Sequence, residues 1–224
     1  MIPVLAVPIL ANPALLIEML ASIDVEVGRT IVIDNGGVVG DLPSVEVFRP
    51  GRNLGVAASW NFIMREVPEA PWWAFAGFDI IFAPGDLRRL TDHMEKLGGV
   101  ALLGGFSAFG IDHAAVERAG WFDENFHPAY FEDNDYDYRC QLAGVPLAGL
   151  PAGLSHKVSS TLEANPGYSR QNGRTFPLNA HYYRMKWGGF PRQERFATPF
   201  NRGGNVSDWE VTEDRIRELA WEIE

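Results

Sequence analysis

The sequence has few cysteines, few basic residues and no long hydrophobic run. Cys140 is the one cysteine in 224 residues, so the chain forms neither an intrachain disulfide nor a cysteine-based metal cluster. Its 19 Lys and Arg residues against 29 Asp and Glu residues give a net charge of −10, which argues against a broad nucleic-acid interface but leaves room for a local basic groove. No apolar run reaches the roughly 18 residues that would span a membrane.

The composition also predicts the cellular compartment of the protein. A single cysteine is typical of a reducing cytoplasm. The apolar residues 1–10 are not preceded by a basic stretch, so we do not expect a signal peptide. The remaining composition, 46% hydrophobic and 21% charged, is that of an ordinary globular domain with a substantial core. The sequence therefore predicts one soluble intracellular domain.

Two catalytic motifs of α/β enzymes are also missing. The first predicted strand is not followed by G-x-G-x-x-G, which argues against a nicotinamide-dependent dehydrogenase. Ser107 lies in Gly-Phe-Ser-Ala-Phe rather than G-x-S-x-G, which argues against a serine hydrolase built with His156.

Short apolar strands alternate with amphipathic helices in the first half of the chain. The pattern predicts strands at 4–7, 30–33, 45–48, 72–76 and 100–103, and helices at 13–23, 56–66 and 84–97. Asn12 is expected to cap the first helix. This rhythm predicts an α/β fold with a mostly parallel sheet flanked by helices on both faces.

The second half is less regular. Asp112 is expected to cap a short helix to residue 118, and a further helix is expected at 132–143, ending at Gly144. Residues 151–200 are rich in Gly, Pro, Asn and aromatic residues, so we expect an irregular segment. Ser207 and Glu210 have the spacing of a capping box before a final helix that ends near Ile223.

Polar residues follow the predicted strands, and in an open parallel sheet ligands bind at the carboxyl ends of the strands. Asp34 could accept a hydrogen bond from a ribose hydroxyl or a base N–H. Arg52 and the helix that starts near residue 56 could face a diphosphate. Asp34 and Asn53 could equally serve only to shape turns.

Asp79 follows a strongly apolar strand, where a buried carboxylate needs a partner. A divalent metal that bridges to a diphosphate is one candidate, and a backbone N–H or an arginine is the structural alternative. His156 is either a hydrogen-bonded structural residue or, with Asp79, part of a mixed oxygen and nitrogen site typical of manganese.

Residues 132–137 contain four acids in six positions at the predicted start of a helix. Acids there interact favourably with the exposed N–H groups, which is a structural explanation. Mutual repulsion or burial could also raise one carboxyl pKa towards that of a general base. The nearby Trp121 and Tyr130 could line an acceptor sugar site or belong to the core.

Residues 120–126 read Gly-Trp-Phe-Asp-Glu-Asn-Phe, and residues 131–136 read Phe-Glu-Asp-Asn-Asp-Tyr, followed by Arg139. These segments are similar to the G-x-F-D-E-x-F and E-D-x-D-x-x-x-R motifs of the family 2 nucleotide-sugar glycosyltransferases, especially the bacterial and phage rhamnosyltransferase-like members. Residues 33–36 and 52–61 resemble the family's strand-end motif and its N-x-G-x-A-x-x-x-N segment, and residues 186–189 are similar to a late segment of some members. The resemblance covers residues 2–156 and, more loosely, the chain to residue 200.

The resemblance implies a GT-A, Rossmann-like fold and assigns roles to individual residues. Asp34 would bind the base or ribose, Asp79 matches the last acid of the D-x-D metal motif, His156 matches a histidine that completes the metal site, and Asp133 matches the catalytic base. The first acid of D-x-D is Gly77 here. The expected donor site comprises Pro8, Asp34, Arg52, Asn53, Gly55, Asn61, Gly77 and Phe78. The expected acceptor site comprises Trp121, Tyr130 and Glu132.

The implied activity is inverting transfer of a sugar from a UDP-, GDP- or dTDP-linked donor to a hydroxyl of a glycan, a protein or a modified nucleobase, assisted by Mn²⁺ or Mg²⁺. Residues 1–156 would form the catalytic core and residues 157–224 a lid and acceptor segment of the same domain, in the host cytoplasm if the protein is phage-encoded. Lys186 and Trp187, with Arg170 and Arg174, would reach the phosphates from the lid. Gly77 keeps an alternative open, a non-enzymatic nucleotide-sugar or glycan-binding protein with a decayed site.

Overall fold

The computed structural model describes residues 1–157 and 160–202, so the helix expected after Ser207 lies outside the described residues. The strands are β1 (Ile2–Ile9), β2 (Val27–Asp34), β3 (Glu46–Phe48), β4 (Trp72–Ala76), β5 (Ile80–Ile81), β6 (Val100–Leu102), β7 (Ala108–Asp112), β8 (Leu147–Gly149) and β9 (Ser155–His156). The helices are α1 (Pro13–Ala21), α2 (Val56–Glu66), α3 (Asp86–Lys96), α4 (His113–Ala119), α5 (Glu132–Ala143), α6 (Ser160–Ala164) and α7 (Pro166–Trp187), followed by a 3₁₀ turn at Pro199–Asn201.

A seven-stranded sheet in the order β3-β2-β1-β4-β7-β6-β8 forms the centre of the molecule. β1 pairs in parallel with β2 and β4, β2 with β3, and β6 with β8, whereas β7 is antiparallel to β4 and β6. The predicted mostly parallel α/β fold is therefore confirmed. β5 and β9 form a separate two-stranded ribbon.

Helices cover both faces of the sheet, as the alternating pattern predicts. α1 and α3 contribute to one core with alternate residues of β1, such as Leu5 and Val7. α2, α4 and α5 contribute to the other core with the opposite residues, Val4 and Ala6. Cys140 of α5 lies in this second core, free and fully buried.

Two predictions about helices need correction. Asn12 occupies the N-cap position of α1, as predicted, but its backbone is left-handed (φ 59°) and its side chain accepts no capping hydrogen bond. Residues 151–200 are also not irregular throughout, because α7 runs unbroken for 22 residues through the interior Pro177. Asn165 caps this helix at the Tyr168 amide, and aromatic residues near its end pack on Phe126.

Among the described residues, no helix is both long enough and apolar enough to cross a membrane. α7 has the length, but it carries arginine, lysine and asparagine side chains along its course.

Candidate active site

A cleft of about 320 Å³ opens where β1 and β4 end. Its volume lies at the lower end of the range for small-molecule sites, roughly 300–1,000 Å³. The lining side chains come from both halves of the chain: Pro8, Val56, Trp60, Ala76, Gly77, Phe78, Asp79, Phe106, Ser107, Ala129, Tyr130, Glu132, Asp133, His156, Ser160, Thr161, Leu162 and Tyr168. Several predicted site residues therefore share one cleft.

A short ribbon brings Asp79 and His156 together. Ile80 pairs with His156 in the β5–β9 ribbon, and the Lys157 amide donates to the Asp79 carbonyl at 2.9 Å. As a result, His156 Nε2 lies 3.3 Å from Asp79 Oδ1. These residues are 77 positions apart, so the pair depends on the tertiary fold.

Two further neighbours restrain the Asp79 carboxylate. The Ser160 hydroxyl at the start of α6 donates to Asp79 Oδ2 at 2.5 Å. On the other side, a Cβ atom at Gly77 would lie 2.9 Å from Asp79 Oδ1, which is closer than real Cβ contacts come. The carboxylate therefore lies against the position at which the family's motif has its first acid.

The first turn of α5 supplies two acids with different surroundings. Glu132 is 5% exposed, and burial, followed by the charges of Asp133 and Asp135, raises its pKa well above the usual value for glutamate. Asp133 is less buried, and its Oδ1 accepts from the Asn134 amide at 2.8 Å. Burial is also the main cause that raises the pKa of Asp133.

The backbone before α5 is strained. Tyr130 and Phe131 have φ angles of 77° and 75°, a left-handed region that costs a bulky residue about 1–3 kcal/mol. Asn179 of α7 stabilises this turn, since its side-chain amide donates to the Ala129 carbonyl at 2.9 Å. With this backbone conformation, Tyr130 and the start of α5 line the cleft. Burial there raises the pKa of Tyr130.

A smaller recess of about 90 Å³ extends the cleft along β1 and includes Asn35, Asn53 and Gly55. The Asn53 side chain accepts from the Gly55 amide, and Asn35 accepts from Leu54, so both asparagines also shape the loop. Gly55 has φ 80°, and a Cβ atom there would lie 2.8 Å from the Pro128 carbonyl oxygen. Glycine is required at this close approach.

Asp34 differs from its expected role as a nucleotide ligand. Its two oxygens accept from the Val38 and Val39 amides at 2.9 Å each, and its side chain is 0% exposed. The geometry therefore favours the turn-forming alternative for Asp34, which lines neither the cleft nor the recess. The next residue, Asn35, reaches the recess.

Arg52 and Asn61 do not line the cleft or the recess either. Arg52 is exposed beside Asn53. Asn61 is 1% exposed and bridges α2 to the following segment, donating to the Phe122 carbonyl at 2.8 Å and accepting from the Phe122 amide at 3.0 Å. Its amide is therefore a structural link rather than a donor ligand.

The expectation that Trp121 lines the acceptor site is wrong for this cleft. Trp121 borders a different groove of about 430 Å³ that contains Trp73, near the amino end of β4, whereas the cleft contains Ala76, at its carboxyl end. The Trp121 ring stacks under the Arg65 guanidinium, 5.0 Å away.

Lys186 and Trp187 are wrongly predicted to contact phosphates, because both are buried in the interface of α7 with α5. Lys186 is 1% exposed, and its Nζ lies 2.7 Å from Asp123 Oδ2 and 2.6 Å from Asp135 Oδ1. The Trp187 indole donates to Asp135 at 2.8 Å, and Arg139 pairs with the same carboxylate. Arg170 and Arg174 are exposed on α7 and do not line the cleft.

Sequence reasoning missed the cleft residues of α6 and early α7: Ser160, Thr161, Leu162 and Tyr168. Burial raises the pKa of Tyr168 to about 12, so its hydroxyl stays protonated. Their segment resembles no motif, and the available signal was Asn165-Pro166, an N-cap followed by proline.

Comparison with known proteins identifies the fold class. No family model matches the sequence. A curated galactofuranosyl glycosyltransferase from Leishmania donovani is 29% identical over 159 residues, which is 59% of this chain and 33% of that protein. The chain thus spans about a third of the length of this relative.

Solved glycosyltransferase structures share the architecture. S. aureus TarS (residues 1–349) aligns with a TM-score of 0.53 at 14% identity, over 68% of this chain and 59% of that one. A TarS complex with UDP-GlcNAc gives 0.52 at 13% identity, over 68% and 57%. GalNAc-T7 with UDP, GalNAc and Mn²⁺ gives 0.56 at 10% identity, over 83% and 50%. The mixed α/β fold is therefore that of the GT-A glycosyltransferases.

Proposed function

We propose that this protein is an inverting glycosyltransferase of the family 2 type that uses a nucleoside diphosphate sugar. The observation that carries the proposal is one cleft that holds the Asp79–His156 pair and the acids of α5 at the carboxyl end of the central sheet. The named glycosyltransferase relative and the GT-A fold support it.

Asp133 is the proposed general base. Its raised pKa makes the ionised carboxylate a better proton acceptor than an ordinary aspartate. Asp133 takes the proton of an acceptor hydroxyl, and the hydroxyl oxygen bonds to the anomeric carbon. The bond from that carbon to the diphosphate breaks on the opposite face, and its electron pair leaves with the diphosphate.

The donor and acceptor would meet along the cleft. Pro8, Asn53, Gly55, Gly77 and Phe78 line the cleft or its recess and are proposed to contact the donor. Tyr130 and Glu132 lie beside Asp133 and are proposed to contact a hexose donor or the acceptor. α6 covers the same cleft and would exclude water, which limits hydrolysis of the donor.

Asp79 and His156 are the proposed metal ligands. No group of three His, Cys, Asp or Glu side chains in the described part of the chain could hold a metal ion. One carboxylate and one imidazole nonetheless fit Mn²⁺ or Mg²⁺, because such ions commonly take their remaining ligands from substrate phosphates and water. The bound ion would neutralise charge on the leaving diphosphate.

The proposed location is the cytoplasm, and the proposed organisation is a core at 1–156 with a C-terminal segment at 157–224 in the same domain. The free cysteine is compatible with a reducing compartment. The acceptor is proposed by class only, as a hydroxyl of a glycan, a protein or a modified nucleobase.

Gly77 favours a second candidate, a nucleotide-sugar or glycan-binding protein without activity, because the chain has one carboxylate fewer than the family's metal motif. The two candidates differ in turnover. UDP-, GDP- and dTDP-sugars are tested by thermal shift with and without Mn²⁺, and release of nucleoside diphosphate is then measured. An enzyme is expected to release it, at least slowly. Binding without any release, even with a panel of acceptor sugars, would favour the binding protein.

A further inference from the structure

We propose that Ser160 is a positioning residue that orients the Asp79 carboxylate for metal-dependent binding of a nucleoside diphosphate. The inference rests on the proposed function and assigns a role to a residue outside the family motifs. Ser160 is the first residue of α6 and is 2% exposed.

The two oxygens of Asp79 have different neighbours. Oδ2 accepts from the Ser160 hydroxyl at 2.5 Å, and Oδ1 faces His156 Nε2 at 3.3 Å. Because Ser160 engages one oxygen, the carboxylate plane is restrained with the other oxygen beside the imidazole. Without the hydroxyl, the carboxylate could rotate about its χ2 torsion, which is broad for aspartate.

Because residue 77 is a glycine, the Asp79 carboxylate has no neighbouring acid from the motif, and Ser160 is the side chain that restrains it. In a D-x-D motif the first acid would begin at this position, but a Cβ atom here would lie 2.9 Å from Asp79 Oδ1. The glycine therefore admits the Asp79 carboxylate in its present orientation and supplies no carboxylate of its own. Ser160 restrains the same group from the opposite oxygen.

The geometry of the pair suits a shared ion. Neighbouring ligands of an octahedral ion with bonds of about 2.1 Å lie about 3 Å apart, close to the separation between Oδ1 and Nε2. Ligating carboxylates are usually held by an outer hydrogen bond, and its loss typically costs about 10–100-fold in metal affinity. Ser160 supplies that bond to Oδ2.

The test compares Ser160→Ala with Ser169→Ala, the same substitution at an exposed position of α7. Free Mn²⁺ is measured by electron paramagnetic resonance in a titration of the full chain with UDP present, and UDP binding is measured separately in chelator. We expect Ser160→Ala to raise the Mn²⁺ dissociation constant about tenfold or more. Ser169→Ala is expected to match the wild type, and UDP affinity in chelator is expected to stay unchanged in both variants.

The outcomes separate the two proposals. If the wild type binds none of UDP, GDP or dTDP, the proposed function fails and this inference with it; if GDP or dTDP binds instead, it replaces UDP throughout. If Mn²⁺ does not strengthen nucleotide binding to the wild type, or if Ser160→Ala binds Mn²⁺ as the wild type does, only the positioning role and its metal are overturned. Tighter Mn²⁺ binding by Ser160→Ala would also overturn it, because Ser160 would then compete with the ion for Asp79.

A second variant covers the case in which Ser160→Ala does not fold. Gly77→Ala leaves α6 intact but places a methyl group against Asp79 Oδ1, which must move away. We expect this variant also to bind Mn²⁺ about tenfold more weakly. An unchanged Mn²⁺ affinity in Gly77→Ala would mean that the orientation of Asp79 does not control the metal, and the proposal would fail.

Discussion

Glu132 and Asp133 are adjacent in the chain, and burial raises both carboxyl pKa values, that of Glu132 more strongly. Glu132 Oε2 is buried and has no hydrogen-bond partner among the described residues, although backbone hydrogen bonds to this carboxyl partly offset the rise of its pKa. The pKa of Glu132 is raised further by the charge of Asp133, which favours a single shared negative charge. Paired acids with unequal pKa values often take different roles, and the stronger rise at Glu132 leaves Asp133 as the proposed base of the two.

Asp133→Asn tests the role of the base. Asparagine preserves the size of the side chain but accepts no proton, so we expect normal donor binding and transfer that is slower by about 100-fold or more. Wild-type transfer is expected to fall as pH drops through the raised pKa of Asp133, above the usual range for aspartate. Nucleotide release with a working acceptor measures both. Asp137→Asn, on the same helix, is the control, and equal losses in the two variants would contradict the assignment.

Glu132→Gln tests how much the buried Glu132 carboxyl lowers the free energy of unfolding when it ionises. The pKa of Glu132 is higher in the folded protein than in the unfolded chain, so the unfolded chain loses this proton at lower pH. The free energy of unfolding therefore decreases as pH rises above about 4.5. The full loss is roughly 1.4 kcal/mol for each unit of difference between the two pKa values. Glutamine does not ionise, so the variant is expected to be more stable than the wild type at pH 8 and to differ less at pH 5. Urea unfolding at both pH values measures this. A variant that loses stability equally at the two values would indicate lost packing instead.

Asp34→Ala tests whether Asp34 stabilises its turn rather than binding the nucleotide. Two backbone amides would lose their acceptor, so we expect a loss of about 1–3 kcal/mol in the free energy of unfolding. Nucleotide affinity measured below the melting transition is expected to stay close to that of the wild type. Weakened binding by a fully stable variant would restore the direct ligand role.

Helix α7 is the element that connects the C-terminal segment to the acids of α5. Lys186 is paired with Asp123 and Asp135, Trp187 donates to Asp135, and Asn179 holds the turn before α5. Since Asp135 lies two residues after Asp133, α7 supports the helix that presents the candidate base. The contacts are those of a structural support rather than of a mobile lid.

Lys186→Met tests this support. The substitution leaves the buried Asp123 carboxylate without its cation and leaves Asp135 with Arg139 alone, so we expect a loss of about 3–5 kcal/mol in the free energy of unfolding. Arg184→Met, at an exposed position of the same helix, is the matched control and is expected to change stability by less than about 0.5 kcal/mol. Similar losses in both variants would mean that the buried ion pairs contribute no more than the surface of α7.

The sequence predicted elements well where local signals were strong and consistent. α2, β4 and α5 match the predicted bounds. α2 is amphipathic and is followed by Pro68, β4 is a short apolar run followed by Gly77, and α5 begins with a cluster of acids and ends at Gly144. α7 was missed because Gly173 and Pro177 are poor helix formers. Its stability comes from packing on Phe126 and from buried ion pairs, and these contacts have no local signature.

The site was predictable to a similar extent. The family resemblance pointed to Asp79, His156 and Asp133; the fold brings all three to one cleft, and their roles stay predictions. It did not distinguish ligand from turn at Asp34 or cleft from core at Lys186, because such roles depend on which neighbours the fold supplies.

At the scale of the whole molecule, the cleft is assembled from parts that are distant in the sequence. Asp79 lies between β4 and β5, and Asp133, His156 and Ser160 lie in α5, β9 and α6. A single folded unit is therefore needed for the site to form.

A thermal unfolding scan tests this unity. Because α7 and α5 share buried charges, we expect one cooperative transition rather than two. A bound nucleoside diphosphate at 100 times its dissociation constant is expected to stabilise the fold by about 2.7 kcal/mol and to move that one midpoint upward. Two transitions, only one of which responds to nucleotide, would divide the chain near residue 156.

The buried Cys140 thiol is poorly reactive, which makes the protein suitable for labelling at an introduced cysteine. It is fully buried, and burial raises the pKa of its thiol to about 12, so the thiolate that reacts with maleimides is scarce at neutral pH. Since the chain has no other cysteine, a Ser169→Cys variant would carry one reactive thiol, on the surface of α7. A fluorophore attached there would occupy a single known position, next in sequence to the cleft residue Tyr168, without removal of any native residue from the core.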